Sequence, residues 1–133
     1  MNSDSHAEVR FVHVACNSCL PSMRKFRLRT YKTIEQGAGF QAKIIHVLPQ
    51  GCLSLQKHFK RQEHWVVIEG VATITVGQKT RDYRINDYVY IPKEAVHRLE
   101  NRTDKPVAII EIQIGSYLGE DDIIRLDDIY QRT

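Results

Sequence analysis

No run of about 18 apolar residues occurs anywhere in the 133-residue chain, which excludes a helical membrane span. The first ten residues, MNSDSHAEVR, lack the apolar centre of a signal peptide, so a cytoplasmic location is the expectation. Neither sign of charge is in large excess. Nineteen Lys and Arg against sixteen Asp and Glu leave +3, too mild a balance for a nucleic-acid binder. Neither nucleic acid nor membrane is therefore expected as a partner. Cysteine is scarce and odd in number: Cys16, Cys19 and Cys52 do not make a disulfide framework. Cys16-Asn17-Ser18-Cys19 is a lone C-x-x-C, without the second pair of a zinc ribbon or the βαβ setting of a redox motif. Helical periodicity is also missing before the C-terminus.

What remains is one domain with an ordinary soluble balance, 42% apolar and 26% charged. Residues 1–25 read as a leader, in which Phe11–Val14 could form a short strand. A basic stretch, Arg24 to Arg29, reads as an edge strand or a solvated arm. From Tyr31 onward apolar runs recur with turn signals every eight to twelve residues. Strands are expected over Phe40–Leu48, from Leu53, and over His64–Ile68, Val71–Val76, Thr80–Ile85, Tyr88–Ile91, Arg98–Glu100 and Val107–Ile114. Gly77-Gln78 reads as a hairpin turn. A short C-terminal helix is expected where Ile123, Leu126 and Ile129 or Tyr130 follow acidic residues. This spacing predicts an all-β jelly roll with a polar mouth over residues 26–133.

Polar residues intrude on these strands, and burying them singly would cost several kcal/mol. Gln56 and His58 share a strand face; Glu63 opens the alternation Glu63-Trp65-Val67, which turns His64 and Val66 to the other side. His97 follows the Pro92 turn. Gln56, His58, Glu63 and His97 together offer N and O donors for a divalent metal with positions left open. The alternative is that Glu63 simply pairs with Arg61 or Lys60. His6, His13 and His46 are read as ordinary surface or hydrogen-bonded histidines, and Trp65 as a core residue.

The spacing meets a known pattern. His58, four residues, Glu63, six residues and Gly70 resemble the first cupin motif; Pro92, His97, three residues and Asn101 resemble the second. The blocks Leu53-Ser54-Leu55-Gln56-Lys57-His58, Arg61-Gln62-Glu63-His64-Trp65-Val66-Val67, His97-Arg98-Leu99-Glu100-Asn101 and Gly115-Ser116-Tyr117-Leu118-Gly119-Glu120-Asp121-Asp122-Ile123 resemble the C-terminal cupin domain of type II mannose-6-phosphate isomerases. The resemblance runs from about Tyr31 to Arg132. It implies a cupin fold (a double-stranded β-helix, or jelly-roll barrel) and a divalent metal on Gln56, His58, Glu63 and His97. Zinc is the first choice, with manganese, cobalt, nickel or iron as alternatives. It also implies a sugar-phosphate substrate, interconverted between mannose-6-phosphate and fructose-6-phosphate. That family usually carries a guanylyltransferase domain as well; no Gly-rich, Arg-containing loop occurs in residues 1–133, so an isomerase domain standing alone is expected.

The chain departs from the family pattern at several points. Gln50 precedes Gly51 where the family reads Pro-Gly; Asn86 and Glu94 stand at usual glycines, and Val96 at a usual proline. The upstream Arg-Pro-Trp-Gly is replaced by Phe26-Arg27-Leu28-Arg29-Thr30. An isomerase needs a base, and Glu111 on the last strand is the candidate. Arg61 is a second candidate catalytic group. Lys57 and Arg98, with Arg61, are candidates for the phosphate. A cupin that binds metal or sugar without catalysis is the alternative, favoured by the missing upstream stretch. Exposed sheet edges suggest a homodimer, with the leader available to the contact.

Overall fold

The structure, a computed structural model, describes Arg10–Phe11 and residues 29–126. Most of the leader, Cys16 and Cys19, and the end of the C-terminal segment lie outside the described residues. Within them the chain forms eleven strands. These are β1 (Arg10–Phe11), β2 (Arg29–Gly37), β3 (Phe40–Val47), β4 (Gln56–Lys57), β5 (Arg61–Glu69), β6 (Ala72–Val76), β7 (Lys79–Tyr83), β8 (Tyr88–Ile91), β9 (His97–Glu100), β10 (Val107–Gly115) and β11 (Ile124–Arg125). Every pairing is antiparallel. One sheet has the order β1-β2-β3-β10-β5-β8 and the other β11-β4-β9-β6-β7. The last long strand, β10, thus lies between β3 and β5, which winds the chain into a double-stranded β-helix. No helix among the described residues is long and apolar enough to cross a membrane.

Two expectations change. Part of the segment read as a C-terminal helix is extended: Ile124–Arg125 form β11 against Gln56–Lys57. Leu126, directly after β11, is helical. Residues 127–133 lie outside the described residues. The strand expected from Leu53 is mostly irregular, with ladder pairing reduced to Gln56–Lys57 and a bridge between Cys52 and Glu100. The hairpin at Gly77-Gln78 forms as expected, closed by Val76 opposite Lys79.

Period-2 alternation sets the interior. Val47 and Ile45 on β3, Val67 and Trp65 on β5, and Val107 and Ile109 on β10 point between the sheets and meet Ala72, Ile74 and Leu99 of the other sheet. Each such Ile or Val contributes about 1.5–3 kcal/mol by burial. Farther along the same three strands, the same inward rows turn polar: Lys43, then Glu63 and Arg61, then Glu111 and Gln113, all buried. The register brings these together, with Glu111 opposite both Lys43 and Trp65, and Gln113 opposite Glu63. One half of the barrel is therefore an apolar plug and the other a polar mouth.

Gly70 closes the turn after β5 with φ +73°, and a Cβ there would lie 2.3 Å from the Pro106 carbonyl oxygen. Gly70→Ala combines the left-handed penalty of about 1–2 kcal/mol with a backbone clash. It should lower stability by at least about 2 kcal/mol. Urea unfolding followed by tryptophan fluorescence checks this; an unchanged midpoint and slope would show that the turn relaxes freely.

Candidate metal centre

His58, Glu63 and His97 bring three potential ligand atoms within 4.8 Å of one another, all buried. Three strands or strand ends supply them. His58 follows β4, Glu63 lies on the inward row of β5, and His97 opens β9 directly opposite Gln56 of β4. The Glu94 amide donates to the His58 carbonyl at 2.7 Å, which ties the turn before His97 to the first histidine. Asp122 holds the other side. Its carboxylate accepts from the Phe59 and Lys60 amides at 3.2 and 2.9 Å, and its carbonyl lies 2.6 Å from His58 Nδ1.

Both imidazoles are oriented for ligation. His58 Nδ1 donates to the Asp122 carbonyl and His97 Nδ1 to that of Ala95 at 3.0 Å, which leaves the Nε2 lone pairs facing the centre. His58 Nε2 lies 3.3 Å from Glu63 Oε1 and His97 Nε2 lies 3.7 Å from Glu63 Oε2. Tetrahedral ligation with bonds of about 2.1 Å has ligand–ligand edges of about 3.4 Å, so the spacing fits a divalent ion. Among the described residues His97 Nε2, which is buried, has no hydrogen-bond partner, an orphan that a metal would satisfy. Gln56 lines the same cavity and accepts from Ser54 Oγ through Oε1 at 3.2 Å.

Arg61 stands inside this set. Its Nε donates to Glu63 Oε1 at 3.1 Å and its Nη2 to His58 Nε2 at 3.1 Å, while Nη1 is buried without a partner. The ion pair weighed as an alternative for Glu63 thus coexists with the ligand geometry. One lone pair cannot serve both groups, so Arg61 must release His58 Nε2 when an ion takes it.

A carboxyl pair forms the wall beside the ligands. Trp65 Nε1 donates to Glu63 Oε2 at 2.9 Å and to Glu111 Oε2 at 3.0 Å, and Gln113 Nε2 donates to Glu111 Oε1. Burial opposes ionisation of both acids, yet they part company. His97, Arg61 and His58 outweigh burial at Glu63 and hold it near 2. Burial and the adjacent Glu63 charge push Glu111 up to about 8. The pair therefore carries one proton at neutral pH, on Glu111. Burial also lowers His58, against the pull of Glu63, which keeps it neutral as a ligand must be.

The cavity beside these groups, about 30 Å³ and open to solvent, is lined by Gln56, His58, Arg61, Glu111 and Gln113 with further polar side chains. Lys57 and Arg98 do not line it. Each is a sequence neighbour of an inward residue and so faces the other way. Lys57 Nζ sits 5.2 Å from the Phe59 ring, and Arg98 pairs with Thr75 between inward His97 and Leu99. His64 also faces outward, with Nδ1 2.5 Å from the Tyr88 hydroxyl. Sequence reasoning did not single out Gln113 or Lys43. Their signal was available, as polar residues on the inward parity of β10 and β3.

Residues 22–128 match the family model described as Mannose-6-phosphate isomerase C-terminal. Over 104 residues the chain is 50% identical to the alginate biosynthesis protein AlgA of Pseudomonas aeruginosa, covering 78% of this chain and 22% of that protein. It is 48% identical over 103 residues to the xanthan biosynthesis protein XanB of Xanthomonas campestris pv. campestris, covering 77% and 22%. The chain thus spans about a fifth of the length of these relatives. A solved structure described as a sugar phosphate isomerase from a cupin superfamily, from Silicibacter pomeroyi, superposes with a TM-score of 0.63 at 19% identity, covering 75% of this chain and 78% of that one. At that identity the likeness shows the cupin fold alone.

The carboxyl pair makes stability depend on pH in the metal-free protein. Glu111 keeps its proton when folded up to about pH 8 but loses it near 4.5 when unfolded, so stability falls as pH rises between those values. Glu63 stays ionised when folded down to about 2, so its contribution is lost as pH falls from 4.5 toward 2. Urea midpoints of chelator-treated protein from pH 7 to 8, above the range in which His58 with its lowered pKa titrates in either state, should decline for the wild type and flatten for Glu111→Gln. Equal slopes in the two proteins would remove the shared proton.

Proposed function

The chain belongs to the mannose-6-phosphate isomerase C-terminal family, and on that premise we propose that it is a metal-dependent aldose–ketose isomerase acting on mannose-6-phosphate and fructose-6-phosphate. One observation carries this reading: a preoriented His58–Glu63–His97 set, with an orphan Nε2 on His97, opens beside a buried carboxyl that holds an exchangeable proton.

Isomerisation moves a proton between two adjacent sugar carbons through an enediol. A divalent ion held by His58, Glu63 and His97, with Gln56 at its margin, would supply the Lewis acid that polarises the sugar oxygens. Zinc is the first candidate, and manganese, cobalt, nickel and iron suit the same donors. Glu111 serves as the proton-transfer group. At about 8 its affinity lies close enough to neutrality both to hold and to release a proton. Trp65 and Gln113 fix its carboxyl plane, so that only the proton moves. Arg61, with Nη1 unpartnered, offers a donor to a sugar oxygen at the same wall.

A second reading, a cupin that binds metal or sugar without catalysis, is favoured by a specific feature: the Arg61 guanidinium already occupies the His58 lone pair and narrows the cavity. In either reading we propose a homodimer, because the outer face of the larger sheet exposes Phe40, Ile68, Tyr88, Tyr90, Ile112 and Ile114. Light scattering that returns the mass of one chain would remove it.

Purified protein loaded with zinc, manganese or cobalt should convert mannose-6-phosphate to fructose-6-phosphate in a coupled assay and retain about one ion per chain. His58→Ala should lower both metal content and turnover, turnover by a factor of 100 or more (~2.7 kcal/mol). Undiminished turnover in that variant would overturn the isomerase reading. Bound metal without turnover in the wild type would establish the second reading instead.

A further inference from the structure

Four cations from four different strands line the small cavity: Arg29 of β2, Lys43 of β3, Arg61 of β5 and Arg125 of β11. Two of them have carboxylate partners. Arg61 is taken by Glu63, and Lys43 Nζ lies 2.8 Å from Glu120 Oε1. Glu111 is the third acid on this wall, and it shares its proton with Glu63. Among the described residues no carboxylate forms an ion pair with Arg29 or Arg125, although both line the same space; burial works against the Arg29 charge, Glu111 and Glu120 favour it at longer range, and Arg125 opposes it. The Arg29 Nε is buried and has no hydrogen-bond partner among the described residues.

The sites of these charges are built rather than incidental. Tyr31, itself in the core, places its ring between two of them, 5.5 Å from the Arg29 guanidinium carbon and 4.7 Å from Lys43 Nζ. Arg125 lies opposite Gln56 in register, which puts it on the cavity side of β11. Like charges brought together at a partly desolvated cavity are unfavourable unless an anion joins them. Glu120, with its side chain half exposed, is the one partner free to leave, and an incoming anion could replace it on Lys43.

We infer that Arg29, Lys43 and Arg125 form the phosphate-recognition subsite of this pocket, with Glu120 as a built-in competitor for the anion. The inference rests on the sugar-phosphate reading for the identity of the whole ligand, but the phosphate itself can be tested without turnover. It also moves phosphate recognition from Lys57 and Arg98 to side chains that line the cavity. A tetrahedral dianion accepts from a guanidinium fork and an ammonium at once, and loss of one charge-assisted partner costs roughly 10- to 100-fold in affinity.

Titration calorimetry with inorganic phosphate on the full chain provides the direct test. Arg29→Gln should weaken phosphate binding at least about tenfold, and Glu120→Gln should strengthen it several-fold, because Lys43 is released. Circular dichroism melts of both variants confirm that each is folded. With mannose-6-phosphate, Arg29→Gln should raise KM while leaving kcat within a few-fold. Phosphate affinity unchanged in folded Arg29→Gln, or absent from the wild type, overturns the subsite. Phosphate binding that depends on Arg29 in a protein without turnover supports the subsite and rejects only the isomerase reading. Turnover with a KM indifferent to Arg29 does the reverse.

Discussion

Glu63 is a fully buried carboxylate, and the arrangement of the mouth follows from the need to keep it charged. An isolated ion at that depth would take up a proton rather than bear the desolvation cost. Here Arg61 and Trp65 donate to it, and Glu111 surrenders its own charge beside it. Glu63 stays ionised because Glu111 does not. A ligand and a proton carrier thus arise from two chemically identical side chains, separated only by which of them sits nearer the cationic groups.

The scaffold makes that separation durable. The inward rows of β3, β5 and β10 begin in close-packed aliphatics and end in the polar mouth, so the site is built on strands anchored by the core rather than on loops. The two loops that do contribute are tied down: the turn before His97 through the Glu94 amide, and the segment around Asp122 through the amides of residues 59 and 60. The second-motif Asn101 has a structural part, donating to the Val47 and Lys105 carbonyls and holding the turn that returns the chain to β10.

Much of this was legible because a strand's parity is a geometric fact. Glu63 and Trp65 inward and His64 outward follow from alternation alone, as does Glu111 opposite Ile110 and Ile112. The same rule, applied to Lys57 and Arg98, would have turned them away from the cavity; their nearness in sequence to the ligands pointed the other way. Arg29 was hidden for a different reason. A basic stretch reads as solvated until the partner strand that buries it is known, and the β2–β3 pairing is a tertiary fact. The short β11 is a further case, since two residues of pairing leave no periodic signal. The positions where glycine is replaced were legible only in part. Gln50, Asn86 and Glu94 all have positive φ, so the turns keep a glycine-like backbone without glycine, at about 1–2 kcal/mol each.

The charge balance of the mouth links the metal centre to the choice of ligand. A divalent ion entering the His58–Glu63–His97 set adds positive charge beside Arg61 and near Arg29 and Arg125, so ion binding and cation clustering oppose each other. An anion on the cavity side relieves both at once. Metal and phosphate should then bind with positive coupling, each reducing the repulsion the other meets, and by linkage the effect is the same in either order. An uncharged sugar gains no such term. Discrimination in favour of phosphorylated ligands would therefore come from the field of the whole mouth as much as from any single contact. Arg61 lies where the two influences meet: it gives up the His58 lone pair to an ion, and its freed donors face the space the anion leaves for the sugar.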